Sequence, residues 1–248
     1  MIVRPLGTVS PYCKDDKNCP GFLVISNKQK VLLDCGSGTS RNLKMPEDLE
    51  NLVIIISHLH KDHYCDLSSI AYASFVYKNL GMLKSKIKVY IPNDKSIKDY
   101  EYLTNYGEEN FMEFISYNSD DCIKEKDIEI TFAVNPHSPL THSIKVKSKN
   151  KCIVYSSDTG YNNNTLTTFA KNTDLLICES TFLKGQTKKS DTHLYAFEAA
   201  TIAKEANVKT LALTHFWPEI DKQDYVNEAK EIFNNTIGCE ENIEIILR

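Results

Sequence analysis

The chain has 248 residues, of which 42% are hydrophobic and 25% charged, and its formal net charge at pH 7 is −4. These ordinary values exclude a disordered, collagen-like or coiled-coil chain, and an acidic chain with so few arginines predicts no broad nucleic-acid surface. Because no apolar run reaches the roughly 18 residues of a membrane span and the first residues lack a signal-peptide pattern, we expect a cytoplasmic protein without membrane association.

Short apolar runs bounded by turn residues predict strands along the whole chain. In chain order they cover residues 2–8, 21–26, 30–36, 52–57, 86–91, 128–134, 142–147, 151–158, 174–180, 210–215 and 243–247. Helical spacing of apolar residues predicts helices at residues 66–78, 96–103, 194–206 and 224–233. Each half of the chain begins with strands and continues with helices between strands. We therefore expect a single α+β domain over residues 1–248, with two mixed sheets packed together and helices outside.

Three of the seven histidines lie within six residues, in the segment HLHKDH that directly follows the predicted strand 52–57. His58 and His60 are two residues apart, so in an extended loop their side chains point the same way and can bind one ion. Asp62 and His63 follow on a turn and can reach a second ion. Imidazole and carboxylate ligands suit zinc, and also manganese or iron. The motif therefore predicts a metal site.

Three further residues stand where apolar strands end, and two ions need more ligands than one loop supplies. His137 follows the strand 128–134 and is a candidate third ligand of the first ion. Asp158 ends the strand 151–158, and a carboxylate in that position can bridge two ions. His215 ends the strand 210–215. Their shared position at strand ends favours a common site.

This constellation resembles the metallo-β-lactamase superfamily over nearly the whole chain. The resemblance rests on VLLDCGSG at residues 31–38, HLHKDH at 58–63, His137, SDTG at 157–160 and LTH at 213–215. It implies an αββα sandwich with a dinuclear site in the cleft between the sheets. It also implies one ion on His58, His60 and His137, a second on Asp62, His63 and His215, and Asp158 between them. The expected cofactor is two Zn²⁺ per chain, with Mn²⁺ or Fe²⁺ as alternatives.

Within the superfamily, the chain is most similar to the ribonuclease Z-like phosphodiesterases. The segment ICEST puts Glu179 at the end of a strand, and DTHLY puts His193 at the start of the predicted helix 194–206. In the similar enzymes, a glutamate and a histidine in these contexts assist proton transfer. The resemblance therefore implies Asp62, Glu179 and His193 as catalytic residues.

The chain departs from the transfer-RNA processing members of that group. Between His137 and Asp158 only a strand, a turn and a strand fit, where those enzymes carry a long substrate-gripping arm. Ser157 replaces their usual glycine, and FWPEID follows His215. We therefore expect a phosphodiesterase acting on small phosphodiesters, cyclic nucleotides included. Nucleic acid is not the favoured partner, and a homodimer stays open because many relatives are dimers.

Other functions remain open at this stage. They are a ribonuclease Z-like RNA-processing endonuclease, a glyoxalase II-like thioesterase, a lactonase, and a metal-bound sensor module without turnover. The thioesterase is disfavoured because its Gly-His-Thr-x-Gly-like motif is absent around His137. No role is assigned to His142, nor to Cys13 and Cys19, which flank a charged stretch and could pair or bind a metal.

Overall fold

The computed structural model of the chain describes residues 1–27, 29–105, 111–161, 164–186 and 191–248. Within these residues, two seven-stranded mixed sheets pack face to face, and α-helices lie on both outer surfaces. Buried side chains from both sheets, such as Ile55 and Ile177, form the apolar layer between them. The predicted α+β sandwich of αββα type is confirmed.

The elements alternate between strands and helices as their bounds show. In chain order the strands are β1 (Ile2–Gly7), β2 (Gly21–Ser26), β3 (Gln29–Leu33), β4 (Leu52–Ile55), β5 (Ile87–Pro92), β6 (Met112–Tyr117), β7 (Cys122–Glu125), β8 (Ile128–Val134), β9 (His142–Ser148), β10 (Lys151–Tyr155), β11 (Leu175–Glu179), β12 (Thr210–Thr214), β13 (Thr236–Gly238) and β14 (Ile245–Ile246). The α-helices are α1 (Lys61–Tyr64), α2 (Leu67–Asn79), α3 (Lys98–Asn105), α4 (Thr165–Phe169), α5 (Ala196–Glu205) and α6 (Lys222–Lys230). Two short 3₁₀ helices cover Thr39–Asn42 and Glu47–Leu49.

Each half of the chain builds one sheet. The first has the order β14-β1-β2-β3-β4-β5-β6, with antiparallel pairing from β1 to β3 and parallel pairing from β3 to β6. The second has the order β13-β12-β11-β10-β9-β8-β7, antiparallel from β7 to β10 and parallel from β10 to β13. β14 returns to the first sheet and pairs antiparallel with β1. Consequently the carboxyl ends of four strands lie at the same end of the second sheet; these strands are β8, β10, β11 and β12.

Helices bury the outer face of each sheet. Side chains of α2 and α3 pack on the first sheet, and those of α4, α5 and α6 pack on the second. On α5 most of the buried residues are alanines, which lets the helix lie close to β11 and β12. β4 is buried along its whole length because both faces of this parallel strand are covered.

Three short strands were not among the predicted elements. β6 pairs parallel with β5, β7 pairs antiparallel with β8, and β13 pairs parallel with β12. All three lie at the edges of the sheets, where strands are partly exposed and carry no long apolar run. The predicted helix 96–103 begins at Lys98 instead. Among the described helices, none has the length and apolar character that crossing a lipid bilayer requires.

Candidate metal centre

The seven residues predicted as metal ligands converge on loops at the strand ends. The loop after β4 supplies His58, His60, Asp62 and His63. His60 has an extended backbone, and the single-turn helix α1 begins directly after it, so the chain turns between the first pair of ligands and the second. The loops after β8, β10 and β12 bring in His137, Asp158 and His215. Both sheets therefore contribute to one centre.

The first group of potential ligand atoms lies around three histidines. His58 Nε2 is 3.0 Å from His60 Nδ1, and His137 Nε2 is 3.4 Å from the same atom. Asp158 Oδ2 is 3.6 Å from His58 Nε2 and 3.7 Å from His137 Nε2. Four ligands at zinc distances of about 2.0–2.1 Å in a tetrahedron stand about 3.3 Å from one another. This group thus has the spacing that one ion requires.

The second group contains a carboxylate and two histidines. Asp158 Oδ1 is 3.3 Å from His63 Nε2 and 3.0 Å from His215 Nε2. Asp62 Oδ2 is 3.6 Å from His63 Nε2 and 4.0 Å from His215 Nε2. The two oxygens of Asp158 therefore face different groups, Oδ2 the first and Oδ1 the second.

Three potential ligand atoms of the second group are buried and, within the part of the chain that the structure describes, have no hydrogen-bond partner that would replace a cation. Among the described residues, His63 Nε2, His215 Nε2 and Asp158 Oδ1 are buried side-chain atoms without a hydrogen bond. Unsatisfied buried polar atoms are rare because each carries a desolvation cost. The Nδ1 atoms of both rings are already bonded elsewhere, so each Nε2 can offer its lone pair to a metal ion. The residues present therefore fit a divalent metal.

Electrostatics at the centre favours positive charge. Burial lowers the pKa of His63, but the carboxylates of Asp158, Asp62 and Asp34 outweigh burial and raise that pKa well above its usual value. Burial raises the pKa of Asp158, yet the imidazoles of His215 and His63 bring it well below the usual range. Asp158 thus stays a carboxylate although only 2% of it is exposed.

Asp34 is a buried residue of the centre that was not among the predicted site residues. Its Oδ2 accepts hydrogen bonds from His63 Nδ1 at 2.7 Å and from the Tyr155 hydroxyl at 2.8 Å. Its Oδ1 accepts from the Ser57 backbone N–H at 2.7 Å. These bonds fix the ring of His63 with Nε2 toward the metal groups, as outer carboxylates do for metal-binding histidines. Asp34 lies within the VLLDCGSG motif that the sequence analysis identified, but the sequence does not show that its side chain contacts His63 and Tyr155.

Three hydroxyl or carbonyl groups orient other predicted ligands. Thr181 Oγ1 accepts from His215 Nδ1 at 2.8 Å, the Thr192 carbonyl accepts from His137 Nδ1 at 3.0 Å, and Ser10 Oγ donates to Asp62 Oδ2 at 2.5 Å. Sequence reasoning missed all three because each lies far along the chain from the side chain that it contacts. In the two rings these bonds use Nδ1, so that Nε2 faces the ligand groups.

Ser157 shows how the chain tolerates the loss of the usual glycine. Its φ is +52°, in the left-handed region that favours glycine. Its Oγ donates to Ser57 Oγ at 2.6 Å, a contact that glycine cannot make. Ser57 Oγ lies 3.1 Å from His58 Nδ1 in turn. The substitution therefore adds a hydroxyl to the support of His58.

Glu179 and His193 form a pair beside the second group. His193 Nδ1 donates to Glu179 Oε1 at 2.9 Å, and the His193 ring stacks on that of His215 with centroids 5.4 Å apart. Burial lowers the pKa of His193, but the Glu179 carboxylate outweighs it and raises the pKa to about 9. Glu179 is 1% exposed and also accepts from the Thr159 N–H at 2.9 Å and the Thr181 hydroxyl at 2.7 Å.

His142 does not belong to these groups. It is 1% exposed and packs on the Tyr117 ring with centroids 5.1 Å apart. Burial lowers its pKa to about 4, so it is a neutral core residue near neutral pH.

Comparisons with known proteins agree with the fold. The chain is 29% identical over 240 residues to "Probable metallo-hydrolase YhfI" of Bacillus subtilis, covering 96% of each chain. It is 27% identical over 276 residues to "Ribonuclease Z" of Clostridium kluyveri, covering 90% of each. The crystal structure of the metallo-beta-lactamase fold protein YhfI matches with a TM-score of 0.88 at 27% identity, covering 98% of each chain.

Fold, site and relatives together define a metal-dependent hydrolase of the metallo-β-lactamase superfamily, related to ribonuclease Z. More narrowly, the chain belongs to the family described as anti-Pycsar protein Apyc1, whose family model matches residues 1–234.

The role of Asp34 predicts a defect in metal binding. Asp34→Asn keeps the size of the side chain, weakens its hydrogen bond with His63 and removes a buried negative charge. We expect the affinity for Zn²⁺ to fall by roughly 10–100-fold, the usual effect of losing an outer partner of a metal ligand. Competition with a coloured chelator measures it.

Asp127→Asn is the matched control, because Asp127 bonds Ser148 at the far end of β9. Equal zinc affinities of folded Asp34→Asn and the parent protein would contradict this role.

Proposed function

We propose that the chain is a dinuclear zinc-dependent phosphodiesterase that acts on small or cyclic phosphodiesters. One observation carries the proposal: the two oxygens of buried Asp158 face two separate ligand groups, and the Glu179–His193 pair lies beside one of them. Two groups that share one carboxylate support two ions. A histidine with a carboxylate partner supports acid catalysis next to them.

The ligand types support zinc. The first group offers three imidazole nitrogens and the second offers two imidazoles and a carboxylate, which is a nitrogen-rich set typical of catalytic zinc. When bound, such ions polarise phosphoryl oxygens and make water a nucleophile near neutral pH. Two divalent ions stay net positive against Asp62 and Asp158, so an anionic phosphodiester is favoured over a neutral amide.

Asp62 and His193 have separate roles in this proposal. The Asp62 carboxylate, held by Ser10, orients the attacking water and accepts its proton. His193, held protonated by Glu179, donates a proton to the leaving oxygen or stabilises negative charge on the phosphate. Glu179 in turn is fixed by the Thr159 N–H and the Thr181 hydroxyl. This division matches an ester whose alkoxide leaves poorly without a proton.

The surface supports a small substrate over a folded RNA. Between His137 and Asp158 the chain has only the hairpin of β9 and β10, which offers no arm to grip a large partner. The net charge is −4, whereas RNA binding draws on many cationic contacts. Ribonuclease Z-like RNA processing is the second candidate, since the ribonuclease Z of Clostridium kluyveri aligns with 90% of the chain.

Loss of the bridging carboxylate tests the two-metal proposal. We expect about two zinc ions per metal-loaded chain by elemental analysis, as in two-metal hydrolases. Asp158→Ala should retain less zinc than His60→Ala, because Asp158 faces both groups and His60 faces one. At most one ion per chain in the loaded parent protein would contradict the dinuclear proposal.

His193→Ala separates proton transfer from metal binding. We expect zinc content to be unchanged and kcat on an unactivated phosphodiester to fall roughly 10²–10⁴-fold, the range for a lost general acid. Bis-p-nitrophenyl phosphate should hide much of the defect, since its leaving group needs little protonation. Glu179→Gln should show the same dependence on the leaving group in weaker form. Full turnover of a cyclic nucleotide by His193→Ala would refute the role.

A substrate panel on one zinc-loaded preparation tests the function itself. We expect hydrolysis of cyclic nucleotides and other small phosphodiesters, and little or no cleavage of precursor transfer RNA at low or moderate salt. Efficient, position-specific cleavage of the precursor would favour the second candidate. Faster turnover of a thioester or a lactone than of any phosphodiester would remove phosphodiesters as the substrate class.

A further inference from the structure

Cys13 and Cys19 face each other across a tight turn. The turn is closed by a hydrogen bond from the Lys17 N–H to the Lys14 carbonyl at 3.0 Å, and Asp15 within it has a φ of +54°. The two sulfur atoms are 3.6 Å apart. Six residues of sequence separation are thus folded back so that the thiols are already in contact.

The two thiols differ in access to solvent. Cys13 is exposed, and its S–H donates to the Ser37 carbonyl at 2.9 Å. Cys19 is only 1% exposed, and burial together with the nearby Cys13 raises the pKa of its thiol well above the usual value. An oxidant in solution therefore reaches Cys13 first, and Cys19 is placed to react second.

Cys19 also packs against the loop that supports the metal-binding segment. A Cβ atom built on Gly36 would lie 2.7 Å from Cys19 Cβ and 1.9 Å from the Asp62 carbonyl oxygen. The backbone of Gly36 therefore lies in direct contact with both Cys19 and the Asp62 carbonyl, with no side chain between them. On the other side of the pair, Ser10 lies three residues before Cys13 and donates to the Asp62 carboxylate.

We propose that Cys13 and Cys19 form a reversible disulfide that lowers the hydrolytic activity by displacing Ser10 from Asp62. The oxidant is a hydroperoxide. The Cys13 sulfur attacks the peroxide, an alcohol or water leaves, and Cys13 becomes a sulfenic acid. The Cys19 sulfur then attacks the Cys13 sulfur, water leaves, and the S–S bond forms. In sum, two thiols lose two electrons and two protons while the peroxide is reduced.

The direction of the effect follows from which cysteine can move. The sulfurs must approach from 3.6 Å to about 2.0 Å. Cys19 is packed against Gly36, so the exposed Cys13 makes most of the movement. The residues that precede Cys13 move with it. That segment carries Ser10, whose bond to Asp62 lengthens. This effect on activity rests on the proposed function, whereas the disulfide itself does not.

Mass spectrometry of the zinc-loaded protein tests the disulfide directly. Trypsin cuts after Lys14 and Lys17, so a bond between Cys13 and Cys19 joins the peptides 1–14 and 18–28. After treatment with hydrogen peroxide and no reductant, we expect this joined pair, and its loss with tris(2-carboxyethyl)phosphine. Oxidation that stops at Cys13 sulfinic acid, or pairs Cys13 with Cys65, would overturn the proposal.

Activity before and after oxidation tests the coupling. On bis-p-nitrophenyl phosphate we expect oxidation to lower kcat roughly ten- to a hundredfold, the scale for misplacing an orienting group, and the phosphine to restore it. Cys13→Ser should be insensitive to peroxide, and Cys65→Ser should behave like the parent protein. A joined pair without loss of activity, or equal inhibition of Cys13→Ser, would overturn the coupling. If no phosphodiester is hydrolysed at all, the joined peptides and a faster loss of zinc to a chelator still test the proposal.

Discussion

The structure depends on one costly feature, a carboxylate buried between imidazole rings. Asp158 is 2% exposed and has both oxygens within 4 Å of histidine nitrogens. Burying an ionised carboxylate costs several kcal/mol unless charge of opposite sign compensates it. Rings that act as metal ligands are neutral, so a cation held by these residues would supply the compensation. Metal binding by the predicted ligands around Asp158 would therefore also stabilise the folded protein.

Polar contacts between the two sheets hold this set in register. The Tyr155 hydroxyl from β10 donates to Asp34 at the end of β3, and Ser157 Oγ donates to Ser57 Oγ across the same cleft. The His142 N–H donates to the Ser57 carbonyl at 3.2 Å. Since each sheet supplies part of the centre, any slip of one sheet against the other would separate the ligands. Three bonds at the rim therefore complement the apolar layer, which is not directional.

The sequence revealed the parts of the site that are local. HLHKDH carries its spacing within six residues, and the other ligands follow apolar strands. Their shared position at strand ends favoured a common site, and the family resemblance assigned them to two groups. Asp34, Ser10 and Thr181 were not predicted, because each forms a hydrogen bond with a predicted ligand that is 29, 52 or 34 positions away along the chain. The central strands were predictable from their apolar runs. The edge strand Cys122–Glu125 was not, because it alternates exposed and half-buried side chains and is fixed mainly by pairing with β8.

One hydroxyl connects the second ligand group with the Glu179–His193 pair. Thr181 Oγ1 accepts from the ring of His215 and donates to Glu179 Oε2, while Glu179 Oε1 accepts from His193. If His215 held a cation, its Nδ1–H would be a stronger donor to Thr181, and Thr181 would then donate more strongly to Glu179. Glu179 would thereby become a weaker acceptor for His193, and the proton of His193 would be released more easily. In the proposed mechanism, metal binding at His215 and the acid strength of His193 would therefore be coupled through Thr181.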